Sequence, residues 1–182
     1  CTLNAARILD TACRILGKTY DEVAQLALSA KPGANGLTLL PYFEGERTPN
    51  RPTATGVFAG MNLNNSNPED IARAMVEGML AGLADAVDAL VALGVGVNRI
   101  LLIGGAAKNP AVPAIASALF GREVLVPPAG EYVADGAAKQ AAWALLGRLP
   151  TWDLGEVSHH KSEATPEVMM RYRELKNNTQ NW

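Results

Sequence analysis

Residues 99–110, RILLIGGAAKNP, place four consecutive apolar residues, Ile100 to Ile103, directly before Gly104-Gly105. An uninterrupted apolar run this short predicts a strand buried on both faces, as in a parallel sheet. Paired glycines let the backbone bend sharply and leave room for a ligand beside the main chain. A helical pattern follows from about Asn109, and its first turn would offer unpaired N–H groups suited to phosphate or ribose oxygens. The junction is therefore a candidate nucleotide edge. GGAAKNP matches neither GxGxxG nor GxxxxGK[ST], so on the motif alone a plain tight connection is the stronger reading.

The flanking segments supply context. Asn4 to Leu16 carries Ala5, Ile8, Leu9, Ala12, Ile15 and Leu16 on one helical stripe, with Gly17 as its stop. Thr19 can cap a second helix whose first turn holds Asp21 and Glu22, with Val23, Leu26 and Ala27 inward. After the turn-rich KPGANG, Leu37 to Leu40 reads as a buried strand stopped by Pro41, and Val57 to Leu63 as a short strand or turn. Between them, residues 42–56 form a long loop rich in proline and charge, a length that favours function.

Asn67-Pro68-Glu69-Asp70 is a strong helix start, with an N-cap, a proline at N1 and early acids. The pattern runs on to Leu93, about 39 Å at 1.5 Å per residue. Ile71, Met75, Met79, Leu83, Val87 and Leu90 form its stripe, and Gly78 and Gly82 read as packing residues. Beyond the central strand, a helix from Asn109 to Phe120, a strand from Glu123 to Val126 and a helix from Tyr132 to Leu146 follow in turn. That alternation is the signature of a parallel α/β sheet. One further helix, Pro166 to Lys176, stands in the tail, and NNTQNW should fray.

With 48% apolar residues and a net charge of −2, the chain can bury a sizeable core. It has no basic run for nucleic acid or an anionic membrane, so neither is an expected partner. No apolar stretch reaches the ~20 residues of a membrane helix. Two cysteines without metal or disulfide spacing fit a reducing cytoplasm, and His159 and His160 read as surface residues. Starting at Cys1 inside a helical pattern, the chain reads as a piece of a larger protein.

Three segments carry a resemblance: LLPYFEGERTPNRPTATGVFAGMNL, PEDIARAMVEGMLAGLADAVDAL, and RILLIGGAAKNPAVPAIASALFGREVLVPPAGEYVADGAAKQAAWAL. In this order they resemble the carboxy-terminal domain of the FGGY carbohydrate kinases. The resemblance implies an α/β, ribonuclease H-like/actin-like ATPase fold, a mixed sheet flanked by helices. It implies a nucleotide-binding domain over residues 1–150 and a helical tail over 151–182. ATP with Mg²⁺ is the implied cofactor, the metal being held mainly by the phosphates and by an absent amino-terminal domain. That absent domain would also bind the sugar.

Carried over by position, Gly104, Gly105 and Ala106 would approach the phosphates or ribose, and Asn109 and Glu131 would flank the adenine side. Gly45, Glu46, Arg47 and Thr48 would sit near the interdomain cleft. Ala106 stands where the family usually has a third glycine, and Asp135 where a leucine is common, which makes Asp135 a poor catalytic candidate. No carboxylate in the chain ends a buried strand beside a glycine turn, so no catalytic residue and no metal ligand are assigned. The implied activity is phosphorylation of a ketose, D-xylulose on its 5-hydroxyl, by the longer protein, with this chain inactive alone. Glycerol, gluconate or ribulose as substrate, a non-catalytic actin-like module that binds nucleotide, and a purely structural domain stay open, as does a homodimer.

Overall fold

The computed structural model describes residues 2–153 and 155–180. Helix α1 (Arg7–Leu16) buries Ile8, Leu9 and Ala12 and ends at Gly17, whose φ of 62° is the left-handed turn a helix stop uses. Helix α2 (Tyr20–Ser29) opens on a reciprocal cap. Thr19 Oγ1 accepts from the Glu22 amide at 3.3 Å, and Glu22 Oε2 accepts from the Thr19 amide at 2.9 Å. Strands β1 (Thr38–Leu40) and β2 (Val57–Ala59) pair antiparallel, so the second strand is shorter than the sequence pattern predicts.

Helix α3 (Pro68–Ala92) is the spine, packed against α1, α2, β1 and two later helices. Its Asn67 cap accepts from the Asp70 amide at 2.8 Å. Residues 72–81 are buried all round, as a helix enclosed by other elements must be. Charge is enclosed with them: Arg73 Nε donates to Glu77 Oε1 at 2.5 Å, and the same oxygen accepts from the Gly33 amide at 2.9 Å. Burial pushes the Glu77 carboxyl up, against the pull of Arg73 and the Gly33 amide. Toward its end α3 departs from the expected stripe, because Leu90 is exposed and Leu83 and Val87 are only half-buried.

The second sheet is mixed. Strand β3 (Ile100–Leu101) runs parallel to β4 (Val124–Val126), joined by the crossover helix α4 (Ala111–Phe120). Strand β5 (Ser158–His160) lies antiparallel on β4's other side, pairing Val124 with His160 and Val126 with Ser158. The α/β class with a mixed sheet is as expected; the purely parallel pattern is corrected by β5. The expectation that Ile100 to Ile103 is buried on both faces is also corrected. Ile100 and Leu102 pack toward the core, while Leu101 and Ile103 are 39% and 46% exposed. Helix α5 (Tyr132–Leu146), which could have covered that face, buries none of its residues.

Past residue 150 the chain returns to the core. Helix α6 (Pro166–Asn178) buries Val168, Met169 and Tyr172 against β1 and α3. His159, on β5, is exposed and bonds through Nδ1 to Glu123 at 3.0 Å.

Candidate functional site

Beyond β3 the main chain bends at Gly104, where φ is 95° and ψ 178°, a conformation open essentially to glycine alone. A single 3-10 turn, Gly105–Lys108, follows. This turn, rather than α4, faces the open space. The first turn of α4 is already satisfied, since Asn109 Oδ1 accepts from the Ala111 amide at 3.0 Å and the Asn109 carbonyl from Val112 at 3.1 Å. By contrast, the amides of Gly105 and Ala106 have no hydrogen-bond acceptor among the described residues. A Cβ built on Gly104 or Gly105 would meet no atom within 4 Å. The corner is bare.

Two clefts meet at this corner. One, of about 490 Å³, lies beyond the carboxyl ends of β3 and β4, between Gly104, Gly105, Lys108, Pro127, Glu131 and Tyr132. The other, of about 400 Å³, lies between the turn, α1 and the start of α2, lined by Ala6, Leu9, Asp10, Tyr20 and Asp21 opposite Gly105, Ala106, Lys108 and Asn109. Gly105 and Lys108 belong to both. Bare amides beside a lysine make an anion-attracting concavity. Glu131, the N-cap residue of α5, puts a carboxylate on the first cleft's wall. A carboxylate suits a hydroxyl or amino donor and repels phosphate.

Of the residues expected from the sequence, Gly104, Gly105, Ala106, Asn109 and Glu131 therefore converge on this corner. Asn109 is buried, and its side chain is occupied by Ala111 and by the Tyr20 carbonyl. Arg47 and Thr48 line neither cleft; their amides bind Glu46 Oε1 at 2.7 and 3.4 Å. Glu46 is the buried centre of that loop, accepting also from Asn4 Nδ2 at 3.0 Å, Thr2 Oγ1 at 2.6 Å and the Leu3 amide at 3.1 Å. Burial alone would raise its carboxyl, but these donors, Asn4 first, hold it below the ordinary value.

Lys108, Tyr132 and Tyr20 were not singled out from the sequence. Lys108 was legible as the cation inside GGAAKNP; Tyr20 lies on another helix and carried no signal. Among the described residues, no three His, Cys, Asp or Glu side chains stand close enough together to hold a metal ion.

A cleft beyond the carboxyl ends of two parallel strands, opening at a glycine turn, is where α/β domains characteristically bind ligands. The model of the FGGY family of carbohydrate kinases, C-terminal domain, matches residues 2–145. The chain belongs to the FGGY family of carbohydrate kinases. It is 36% identical to the xylulose kinase of Streptomyces rubiginosus over 82% of this chain and 30% of that protein. It is 31% identical to the gluconokinase of Bacillus licheniformis over 94% of this chain and 34% of that protein.

The crystal structure of xylulose kinase from Bifidobacterium adolescentis superposes with a TM-score of 0.86 at 48% identity, covering 97% of this chain and 35% of that one. The fold is thus that of the FGGY sugar kinases, the actin-like ATPase fold. The chain spans about a third of the length of these relatives. Kinases of this family use ATP.

Proposed function

We propose that this chain is the nucleotide-binding part of an ATP-dependent sugar kinase acting on D-xylulose at its 5-hydroxyl. The observation that carries the reading is the pair of bare amides, Gly105 and Ala106, beside Lys108 in a chain of this family. ATP fits the corner: the amides and Lys108 suit its phosphates, and Glu131 suits ribose hydroxyls. When bound, ATP supplies the phosphoryl group, with Mg²⁺ screening its charge. This chain's residues hold and orient the anionic end. Arg47 and Thr48 belong to a second loop, proposed to face the interdomain side.

In the transfer, the sugar hydroxyl oxygen bonds to the γ-phosphorus, ADP leaves, and the hydroxyl proton passes to a carboxylate. That carboxylate and the metal-organising groups are assigned to the remaining two thirds of the longer protein. A reducing cytoplasm is the proposed compartment, on cysteine usage; no helix among the described residues is long and apolar enough to cross a membrane.

D-xylulose is favoured because the relatives named xylulose kinase reach 36% and 48% identity. Gluconate is the second reading, favoured by the gluconokinase match over 94% of the chain. Calorimetry of the 182-residue chain with ADP should show weak binding, and a coupled assay with ATP and D-xylulose should show no turnover. No heat at millimolar ADP would overturn the nucleotide reading; turnover by this chain alone would overturn the division of labour. Assaying the longer protein against D-xylulose, gluconate, glycerol and ribulose decides the sugar.

A further inference from the structure

The turn KPGANG, residues 31–36, holds the only asparagine of the chain that precedes a glycine, Asn35 before Gly36. A glycine amide has no side chain beside it to shield it, so its nitrogen can attack the asparagine side-chain carbonyl carbon. The N–Cγ bond forms, the Cγ–Nδ2 bond breaks, and ammonia leaves with the glycine amide proton. Water then opens the cyclic imide to aspartate or isoaspartate. Asn35 is exposed, and a Cβ built on Gly36 would meet no atom within 4 Å, so both the attack and the water have room.

The fold engages both reacting groups elsewhere. The Gly36 amide donates to the Gly33 carbonyl at 2.8 Å, and Asn35 Nδ2 donates to Asp70 Oδ1 and Oδ2 at 3.1 and 2.9 Å. The Asn35 backbone is left-handed, with φ 49° and ψ 35°, and its carbonyl accepts from Asn65 Nδ2 at 3.2 Å. The reaction therefore waits on a local opening of the turn that breaks the Asp70 contact.

Conversion reverses the sign of that contact. Asp70 is 2% exposed, and its carboxylate accepts from the side-chain amides of Asn35 and Asn67. A carboxylate at position 35 removes one donor and sets a second negative charge against a buried one. The same turn gives the Gly33 amide to Glu77 and places Ala34 and Leu37 in a small buried cluster with Ala74. Its release loosens the start of α3.

We infer that Asn35-Gly36 is a site of spontaneous deamidation gated by Asp70, and that conversion to aspartate or isoaspartate unlatches the 31–36 turn from α3. The inference is independent of the nucleotide reading.

The test ages the 182-residue chain beside a synthetic KPGANGLTL peptide at mildly alkaline pH and maps the converted asparagines by mass spectrometry. Amide hydrogen exchange at Gly36 gives the open fraction of the turn in the unaltered chain. Conversion at Asn35 should run at the peptide rate multiplied by that fraction, at least about tenfold slower than the peptide. Asp70→Asn should speed it about fivefold, the scale separating a hydrogen bond to a charged group from a neutral one. Asn35→Asp, the product of the reaction, should melt about 2–8 °C lower.

An Asn35 that stays an amide beyond the time set by the open fraction overturns the site. Conversion at the peptide's own rate overturns the gate, as does an unchanged rate in an Asp70→Asn chain that melts normally. If Asp70→Asn does not fold, agreement of the unaltered chain's rate with its open fraction decides the gate alone. An Asn35→Asp chain as stable as the unaltered one overturns the unlatching.

Discussion

Asn109 and Tyr20 are 89 residues apart in the chain and joined in the fold: Asn109 Nδ2 donates to the Tyr20 carbonyl at 3.3 Å. The same side chain's oxygen accepts from the Ala111 amide at 3.0 Å. One buried amide therefore fixes the glycine turn, the start of α4 and the start of α2 relative to one another.

That double duty separates by substitution. Asn109→Ala loses both bonds and should cost about 1–2 kcal/mol, the usual scale of a lost cap and one buried hydrogen bond. Asn109→Asp keeps the acceptor for Ala111 and loses the donor to Tyr20. Urea unfolding should place it between the unaltered chain and Asn109→Ala, and its loss of ADP affinity should exceed its loss of stability.

Gly104→Ala tests the bend without adding a clash. A Cβ there meets open space, so the cost is backbone strain alone, about 1–3 kcal/mol at this φ and ψ. We expect a lowered midpoint in urea and weakened tripolyphosphate binding as the turn reorients its amides. An unchanged midpoint would show that the bend is not held as described.

Gly78 and Gly82 stand one turn apart on α3 and look alike in sequence, but their surroundings differ. A Cβ at Gly78 would lie 2.6 Å from the Leu39 carbonyl oxygen, so Gly78→Ala must push β1 from the helix, at about 1–3 kcal/mol. At Gly82 the nearest atom is the Tyr172 hydroxyl at 3.4 Å. Gly82→Ala should be neutral or stabilising by up to about 1 kcal/mol from helix propensity. Thermal unfolding of the two variants reads the difference directly.

Glu46 should give the chain an acid limb. Its folded-state carboxyl lies below the ordinary 4.5, held down by donors from Asn4, Thr2, Arg47 and Leu3. A depressed carboxylate binds fewer protons folded than unfolded. Its contribution is therefore present above pH 4.5 and lost as pH falls through the folded-state value. Glu46→Gln should flatten that limb in a series of urea titrations across pH. Glu46→Ala should cost about 1–3 kcal/mol at neutral pH by stranding its donors.

The elements this chain forms were legible where the signal is local. Asn67-Pro68, the Thr19–Glu22 pair, and Gly17, Gly121 and Gly147 start or stop helices through bonds and dihedral angles within a few residues of themselves. The glycine corner was legible for the same reason: its bend needs only Gly104 and Gly105.

Other features were decided by the tertiary structure. Ser158–His160 has no apolar alternation, and it becomes a strand because β4 offers it an edge. Asp70 sits where a solvated helix start is expected, yet it is buried because Asn35 reaches it from another segment at 2.9 Å. The Arg73–Glu77 pair is enclosed by neighbours that the helical period cannot reveal. Tyr20 reaches the corner only because α2 packs beside it. Caps and stops draw their free energy from adjacent residues, whereas burial and pairing draw it from residues tens of positions away, which meet only once the chain has folded.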